Sequence, residues 1–370
     1  MLGTIITFVI ILAVLVLVHE LGHFVSAKRM GIAVEEFGIG FPPRIVGFKR
    51  GETVYSINWL PLGGFVKIKG EVGEDSNDRA SFSSRPAWQR IIVLAAGVGM
   101  NFVLAFVLFS GGFMIGVPQE VTDADLSSHA VRDVRIMIME VAPKSPAAAA
   151  GIVAGDAIVS IDKRMFANVD DVVAYINANA AHVLSLEVVR GKQHITSLAQ
   201  PVVFEGADNP RLGIAMVRVG LVRYGFFQSL YQGARATKDT TMLIISALGI
   251  LLYGLFVGNG VGSQISGPVG VAVLTGQIAR LGFAYLINFT AILSINLGIL
   301  NILPIPALDG GRVLFVLIEK LKGSKVSPRI ESLAHTVGFM LLIALILFVT
   351  YRDILQYGGS VLKSITRLFG

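Results

Sequence analysis

The stretch His19-Glu20-Leu21-Gly22-His23 closes an almost unbroken apolar run over residues 4–18, and no other feature restricts the fold as much. On a helix the two histidines lie four residues apart and share a face, so their imidazoles can take two corners of a tetrahedral Zn2+. Glu20 stands beside them, where it can act as general base on a water molecule. A glutamate and two histidines at the end of a membrane-length apolar helix are costly to desolvate unless something binds them. The competing reading is an interfacial cluster whose polar tips reach out to water.

Composition decides what kind of chain carries this motif. Of its 370 residues 54% are hydrophobic and 15% charged, with a mean hydropathy of +0.70, whereas a soluble domain carries roughly a quarter charged residues. The chain therefore reads as a polytopic α-helical membrane protein. We expect about four transmembrane helices, a membrane-associated β-rich loop and an inserted α+β domain. The N-terminal run lacks a basic start and a small-residue cleavage site and leads straight into the motif, so it is not expected to be a cleaved signal peptide. With no cysteine the chain has neither disulfides nor a thiolate-bound metal. A net charge of +6 suits basic membrane flanks, and no nucleic-acid partner is expected.

Residues 1–27 form the first transmembrane helix. Residues 28–87 are polar and punctuated by Gly and Pro, and partial alternation around 34–40, 54–60 and 64–70 predicts short strands lying on or dipping into the membrane. Basic residues such as Lys28, Arg29, Arg44, Lys49, Arg50, Lys67 and Lys69 put this loop on the cytoplasmic side. The second transmembrane helix occupies 88–116. Its Ala95, Ala96, Gly97 and Gly99 let another helix approach closely, and Asn101 is the strongly polar residue within it.

Over 117–205 the composition turns soluble, with strands at 135–139 and 184–190 and an amphipathic helix at 169–177. The run "SPAAAAGIVAGDAIVSID" resembles a PDZ domain of the bacterial protease type, a fold that binds peptide termini by adding a strand to a sheet edge. Residues 206–282 read as a linker with an amphipathic or re-entrant segment at 242–257. The third transmembrane helix covers 283–311, and 312–370 hold a cytoplasmic-side loop and the fourth helix.

Two histidines leave a zinc site incomplete, because a catalytic site normally has three protein ligands. His129, His182 and His194 fall in the soluble domain, and His335 leads into the last span. Asp309 stands out among membrane-level carboxylates, although Asp-Gly is also a common turn or cap. Parity bears on the choice. If one segment crosses back between the soluble domain and Asp309, this residue arrives on the side of His19 and His23; if 242–257 also crosses, it arrives on the other. The zinc reading therefore expects 242–257 to be interfacial or re-entrant. Cytoplasmic flanks at Arg312, Lys320, Lys322, Lys325 and Arg329 agree with it.

The motif at His19–His23 and the pattern Asn301-x-x-Pro304-x-x-x-Leu308-Asp309-Gly310-Gly311 together resemble the site-two protease family of intramembrane zinc metalloproteases. With the runs "PLGGFVKIKGE" and "SGPVGVA" the chain is most similar to the bacterial regulator-of-sigma-E protease type, with one PDZ domain where some members have two. The resemblance implies a multi-pass protein of the bacterial inner membrane with its PDZ domain extracytoplasmic. It also implies Zn2+ inside the membrane and regulated intramembrane proteolysis of single-pass transmembrane substrates, such as anti-sigma factors or signal-peptide remnants. By motif, His19, His23 and Asp309 are the metal ligands, Glu20 is the catalytic base, and Asn301 binds substrate or lies near the metal. The rival classes are a non-proteolytic metal transporter, which should place polar ligands along several spans, and a PDZ scaffold, which has no need of Glu20.

Overall fold

The computed structural model describes residues 2–71, 78–123, 130–191, 193–204, 209–257 and 267–369. In chain order the elements are α1 (Leu2–Arg29), β1 (Val34–Arg50), β2 (Thr53–Ile68), α2 (Ala87–Ile115), β3 (Val117–Glu120), β4 (Val131–Val141), α3 (Pro146–Ala149), β5 (Ala157–Ile161) and α4 (Val169–Ala178). They continue with β6 (Leu184–Arg190), β7 (Gln193–Ala199), β8 (Ile214–Val222), α5 (Phe226–Val257), α6 (Pro268–Leu281), α7 (Phe283–Ile302), α8 (Asp309–Lys322) and α9 (Pro328–Phe369). The chain forms two units, one of Met1–Ser110, Leu230–Ala279 and Ile287–Gly370, the other of Gly111–Ser229 and Arg280–Leu286.

The first unit is built on apolar helices. Among the described residues five are long and apolar enough to cross a membrane, lying within α1, α2, α5, α7 and α9. Four are expected from the sequence, and the additional one is α5. Its apolar core at 242–257 is shorter than a hydrocarbon layer, but the helix begins sixteen residues earlier, through the polar stretch at 237–241. Hydropathy marks where a helix is greasy, not where its hydrogen-bonded ladder ends. For the same reason α9 runs 42 residues around the apolar core at 337–349.

Helices α1 and α2 run antiparallel, with His23 beside Val93 and His19 beside Asn101. Two contacts lie at the far end of this pair from the histidines. Gly233 of α5 packs on Ser110 of α2, and Gly276 of α6 packs on Thr4 of α1, each so close that a Cβ would overlap its neighbour. Gly233 and Gly276 thus lie at the same end of the α1–α2 pair, and α7 leads from there to Asp309 at the histidine end. Asp353 of α9 fixes α6 by accepting from Gly267 N and Gly270 N at 3.2 and 2.6 Å.

Between α1 and α2 the polar loop folds as a two-stranded antiparallel sheet with register shifts. Residues 34–39 face both 64–68 and 54–57, while 44–50 face 53–58. Ile45, Val46, Phe48, Trp59, Leu60 and Leu62 remain exposed around the far part of this sheet, as suits a hairpin that meets lipid. At its other end a buried cluster of Ala27, Ile32, Val34, Ile68, Phe82, Leu94 and Val316 ties α1, the sheet, α2 and α8 together.

The second unit is a six-stranded antiparallel sheet in the order β3-β8-β4-β5-β6-β7. Its core contains Ile138, Ile161, Leu184, Leu186 and Val188 from the strands with Val172 and Ile176 from α4. Strand β8 lies in the stretch read as linker, yet it pairs with both β3 and β4 inside the sheet. The 205/206 boundary expected from the sequence lies outside the described residues.

Candidate metal centre

The seam between α1 and α2 is made by absent side chains. Gly22 sits against the backbone of Ala96 and Gly97, and a Cβ on Gly22 would overlap the Ala96 carbonyl. Directly above, a Cβ on Gly97 would overlap the His23 ring and press on His19. Helices that approach this closely leave no room for water between them, and both histidines are buried, at 5% and 6% exposure. Their rings meet edge to face with centroids 4.8 Å apart.

Asp309 is brought in from the other side by a sharp return of the chain. Helix α7 ends at Ile302, the backbone turns through Ala307 at φ +82°, and α8 begins at Asp309. The first turn of α8 lies against the end of α7 so closely that a Cβ on Gly310 would overlap the carbonyls of Ile302 and Leu303. That contact explains the glycine after the aspartate. The turn is braced by α9, where His335 Nδ1 accepts from Ala307 N at 2.9 Å.

The three side chains converge on one point. Asp309 Oδ2 lies 2.9 Å from His19 Nε2 and 3.4 Å from His23 Nε2, and the two Nε2 atoms are 3.1 Å apart. Ligand atoms about 2.1 Å from a tetrahedral ion lie roughly 3.4 Å from one another, so these spacings suit a metal corner set. The proton inventory says the same. His23 Nδ1 is 2.8 Å from the Val93 carbonyl, which can only accept, so Nδ1 carries a hydrogen, and in the neutral ring Nε2 presents a bare lone pair. It faces Asp309 Oδ2, a buried carboxylate oxygen that makes no hydrogen bond. Lone pairs gathered in this way are stabilised by a cation. Among the described residues His19, His23 and Asp309 form the one such cluster.

The other two residues singled out by the sequence are at the same place. Glu20 Oε2 accepts from Val66 N of β2 at 3.1 Å, and Asn301 Nδ2 lies 3.3 Å from His19 Nε2. Both line a cavity of about 210 Å³ shared with His19, Asp309, Val16, Leu297, Ala307 and Leu308. Three contributors have no mark in the sequence: the Val93 carbonyl, the Val66 N–H and His335. The first two are backbone groups that any residue supplies. His335 reads as the start of a span because its partner is also a backbone N–H.

Comparisons with known proteins place this geometry. The model of Peptidase family M50 matches residues 7–345. The chain is 31% identical over 435 residues to "Regulator of sigma-W protease RasP" of Bacillus subtilis, covering 95% of this chain and 98% of the relative. It is 31% identical over 437 residues to "Zinc metalloprotease RasP" of Geobacillus kaustophilus, covering 96% and 99%. Part of the chain, 22% of it, is similar to the PDZ domain of an SdrC-like protein from Listeria monocytogenes at 22% identity, with 86% of that chain covered and a TM-score of 0.21. A match over nearly the whole length, together with a clustered His-His-Asp set beside a glutamate, means that the chain belongs to peptidase family M50 and is a metalloprotease.

Proposed function

We propose that this protein is an intramembrane zinc endopeptidase that hydrolyses a peptide bond in or near the transmembrane helix of single-pass membrane proteins, as in regulated intramembrane proteolysis. The observation that carries the reading is the meeting of His19 Nε2 and His23 Nε2, on the apolar helix α1, with Asp309 Oδ2 at the start of α8, all within 3.4 Å of one another beside Glu20. Zinc is the metal in the printed names of relatives that match end to end, and an N2O donor set suits it. When bound it supplies Lewis acidity, polarising a scissile carbonyl and easing deprotonation of water.

The chain's own residues do the rest. Glu20 takes the proton from the attacking water and delivers it to the leaving amine. The Val66 N–H holds one carboxylate oxygen of Glu20, and the residue lines the cavity. Asn301 lines the same space, where it would lie near the substrate or the metal. A transmembrane helix hides its carbonyls in its own hydrogen bonds, so the substrate is unwound before it reacts. The β1–β2 sheet, whose Val66 N–H points out of the ladder toward Glu20, offers an edge for the extended chain.

The second unit reads as a PDZ domain on the extracytoplasmic side that admits trimmed substrates. A cavity of about 530 Å³ lies between α4 (Val173, Ile176, Asn177) and β8 (Ile214, Ala215, Met216). Residues 214–217 of β8 pair with β4, and among the described residues no strand lies on their other edge, since β3 pairs with 219–222 and Val121 N donates to the Arg218 carbonyl. That stretch offers an edge for a peptide terminus. The test is cleavage of purified single-span substrates with product mapping by mass spectrometry. Cuts inside or beside the apolar segment, abolished by Glu20→Gln, are expected. Cuts confined to soluble segments, or undiminished in Glu20→Gln, would overturn the reading.

A further inference from the structure

The clasp on the two imidazoles has a second arm. Val93 and Asn101 lie four residues either side of Gly97, the position whose missing Cβ leaves room for both rings. Helix geometry turns this symmetry into a grip. Backbone carbonyls point toward the C-terminus and Cα–Cβ bonds tilt toward the N-terminus. The Val93 carbonyl therefore reaches up to His23 Nδ1 at 2.8 Å, and the Asn101 side chain reaches down to His19 Nδ1 at 3.1 Å.

Asn101 is fully buried, at 0% exposure, and its placement is fixed from behind by Ser294 of α7, whose Oγ donates to the Asn101 carbonyl at 2.8 Å. Its Nδ2 faces His19 and its Oδ1 is buried without a hydrogen-bond partner. A half-turn about χ2 exchanges the two amide atoms in the same volume. With Oδ1 toward the ring, Asn101 accepts from His19 Nδ1–H and leaves Nε2 bare.

We propose that Asn101 is a positioning residue for the metal centre, accepting from His19 Nδ1–H and so aiming the Nε2 lone pair at the ion. The inference rests on the reading of His19 as a ligand. It makes the two histidines equivalent by different means, His23 through a main-chain carbonyl and His19 through a side-chain amide. A buried side chain that only fills space needs neither an oxygen nor an amide at this position, whereas an acceptor for a ligand histidine needs the oxygen.

Substitution separates these roles because they rank two variants in opposite order. Asn101→Leu keeps the shape and removes the acceptor; Asn101→Asp keeps the acceptor and adds a charge that is costly in a fully buried site. Zinc affinity is measured on the full-length protein in detergent by competition with a chromophoric chelator, beside His19→Ala. The expected result is a zinc affinity roughly 10–100-fold weaker for Asn101→Leu, the usual loss for an outer-shell partner, with Asn101→Asp close to wild type. Equal affinity in wild type and Asn101→Leu, or Asn101→Asp weaker than Asn101→Leu, would overturn the proposal. Unchanged zinc binding in His19→Ala would overturn the ligand reading instead. Thermal melting of each variant is recorded alongside, and the Asp variant's combination of lower melting temperature with retained zinc is a signature that a purely structural asparagine does not give.

Discussion

Two aspartates withdrawn from water show how the two units of this protein use the same side chain differently. Asp156, in the soluble unit, has no exposed surface and both of its carboxylate oxygens accept hydrogen bonds. It accepts from Val153 N at 3.0 Å and from Arg190 Nε and Nη2 at 2.7 and 2.8 Å. Asp309, in the helical unit, turns an oxygen without a hydrogen-bond donor toward two imidazole nitrogens. The first carboxylate is spent on holding β5, β6 and the turn before them in place. The second is left over for a ligand. Burial alone therefore does not mark a functional carboxylate; burial with unused lone pairs does.

Substitutions can break that contrast, and the largest effect is expected at Asp309. Asp309→Ala should weaken zinc binding by more than the roughly 10–100-fold cost of losing an outer-shell partner and abolish cleavage, with melting temperature nearly unchanged in chelator. Metal analysis of purified protein checks it; full zinc content would return Asp309 to the role of a turn residue. Glu20→Gln should leave zinc content at wild-type level while lowering the cleavage rate by about 10²–10⁴, the usual cost of a general base. A steady-state assay with metal analysis of the same sample decides it.

At Asp156 the sign is reversed. Asp156→Ala should destabilise the soluble unit by about 3 kcal/mol, the low end for breaking a buried pair because the Arg190 side chain keeps 39% exposure. Zinc content should not change. Thermal denaturation and protease sensitivity of the full chain report the first, and metal analysis the second. The smallest effect is expected at Ser145, whose buried Oγ accepts from Ala148 N at 3.2 Å to cap α3. Ser145→Ala should cost about 1 kcal/mol by the same denaturation assay, with neither zinc nor turnover altered.

Much of the metal centre is legible in the chain because its chemistry needs rare residue types at set spacings. His19 and His23 declare a shared helix face, and Glu20 comes with them. Asp309 is harder. It is nearly 300 positions away, and spacing alone does not bring it to the histidines; in the fold Gly233 and Gly276 lie at the opposite end of the α1–α2 pair, from which α7 leads to it. Backbone partners are invisible in principle, since the Val93 carbonyl and Val66 N–H belong to residues chosen for apolar packing. Gly97 and Asn101 show only as a small residue and a polar one in an apolar helix. Their meaning appears once α1 lies against α2. In the soluble unit the strand β6 and the helix α4 follow from local alternation and periodicity. Strand β8 is lost because its partners β3 and β4, its neighbours in the sheet, come far earlier in the chain.

The contact between Thr4 and Gly276 gives the molecule a front and a back. His19 lies fifteen residues further along α1 than Thr4, about 22 Å at 1.5 Å per residue, and most of an apolar layer about 30 Å thick separates the metal cluster from the far end of its own helix. Under the proposed function, the centre therefore exchanges ions and protons with the compartment nearer the histidines.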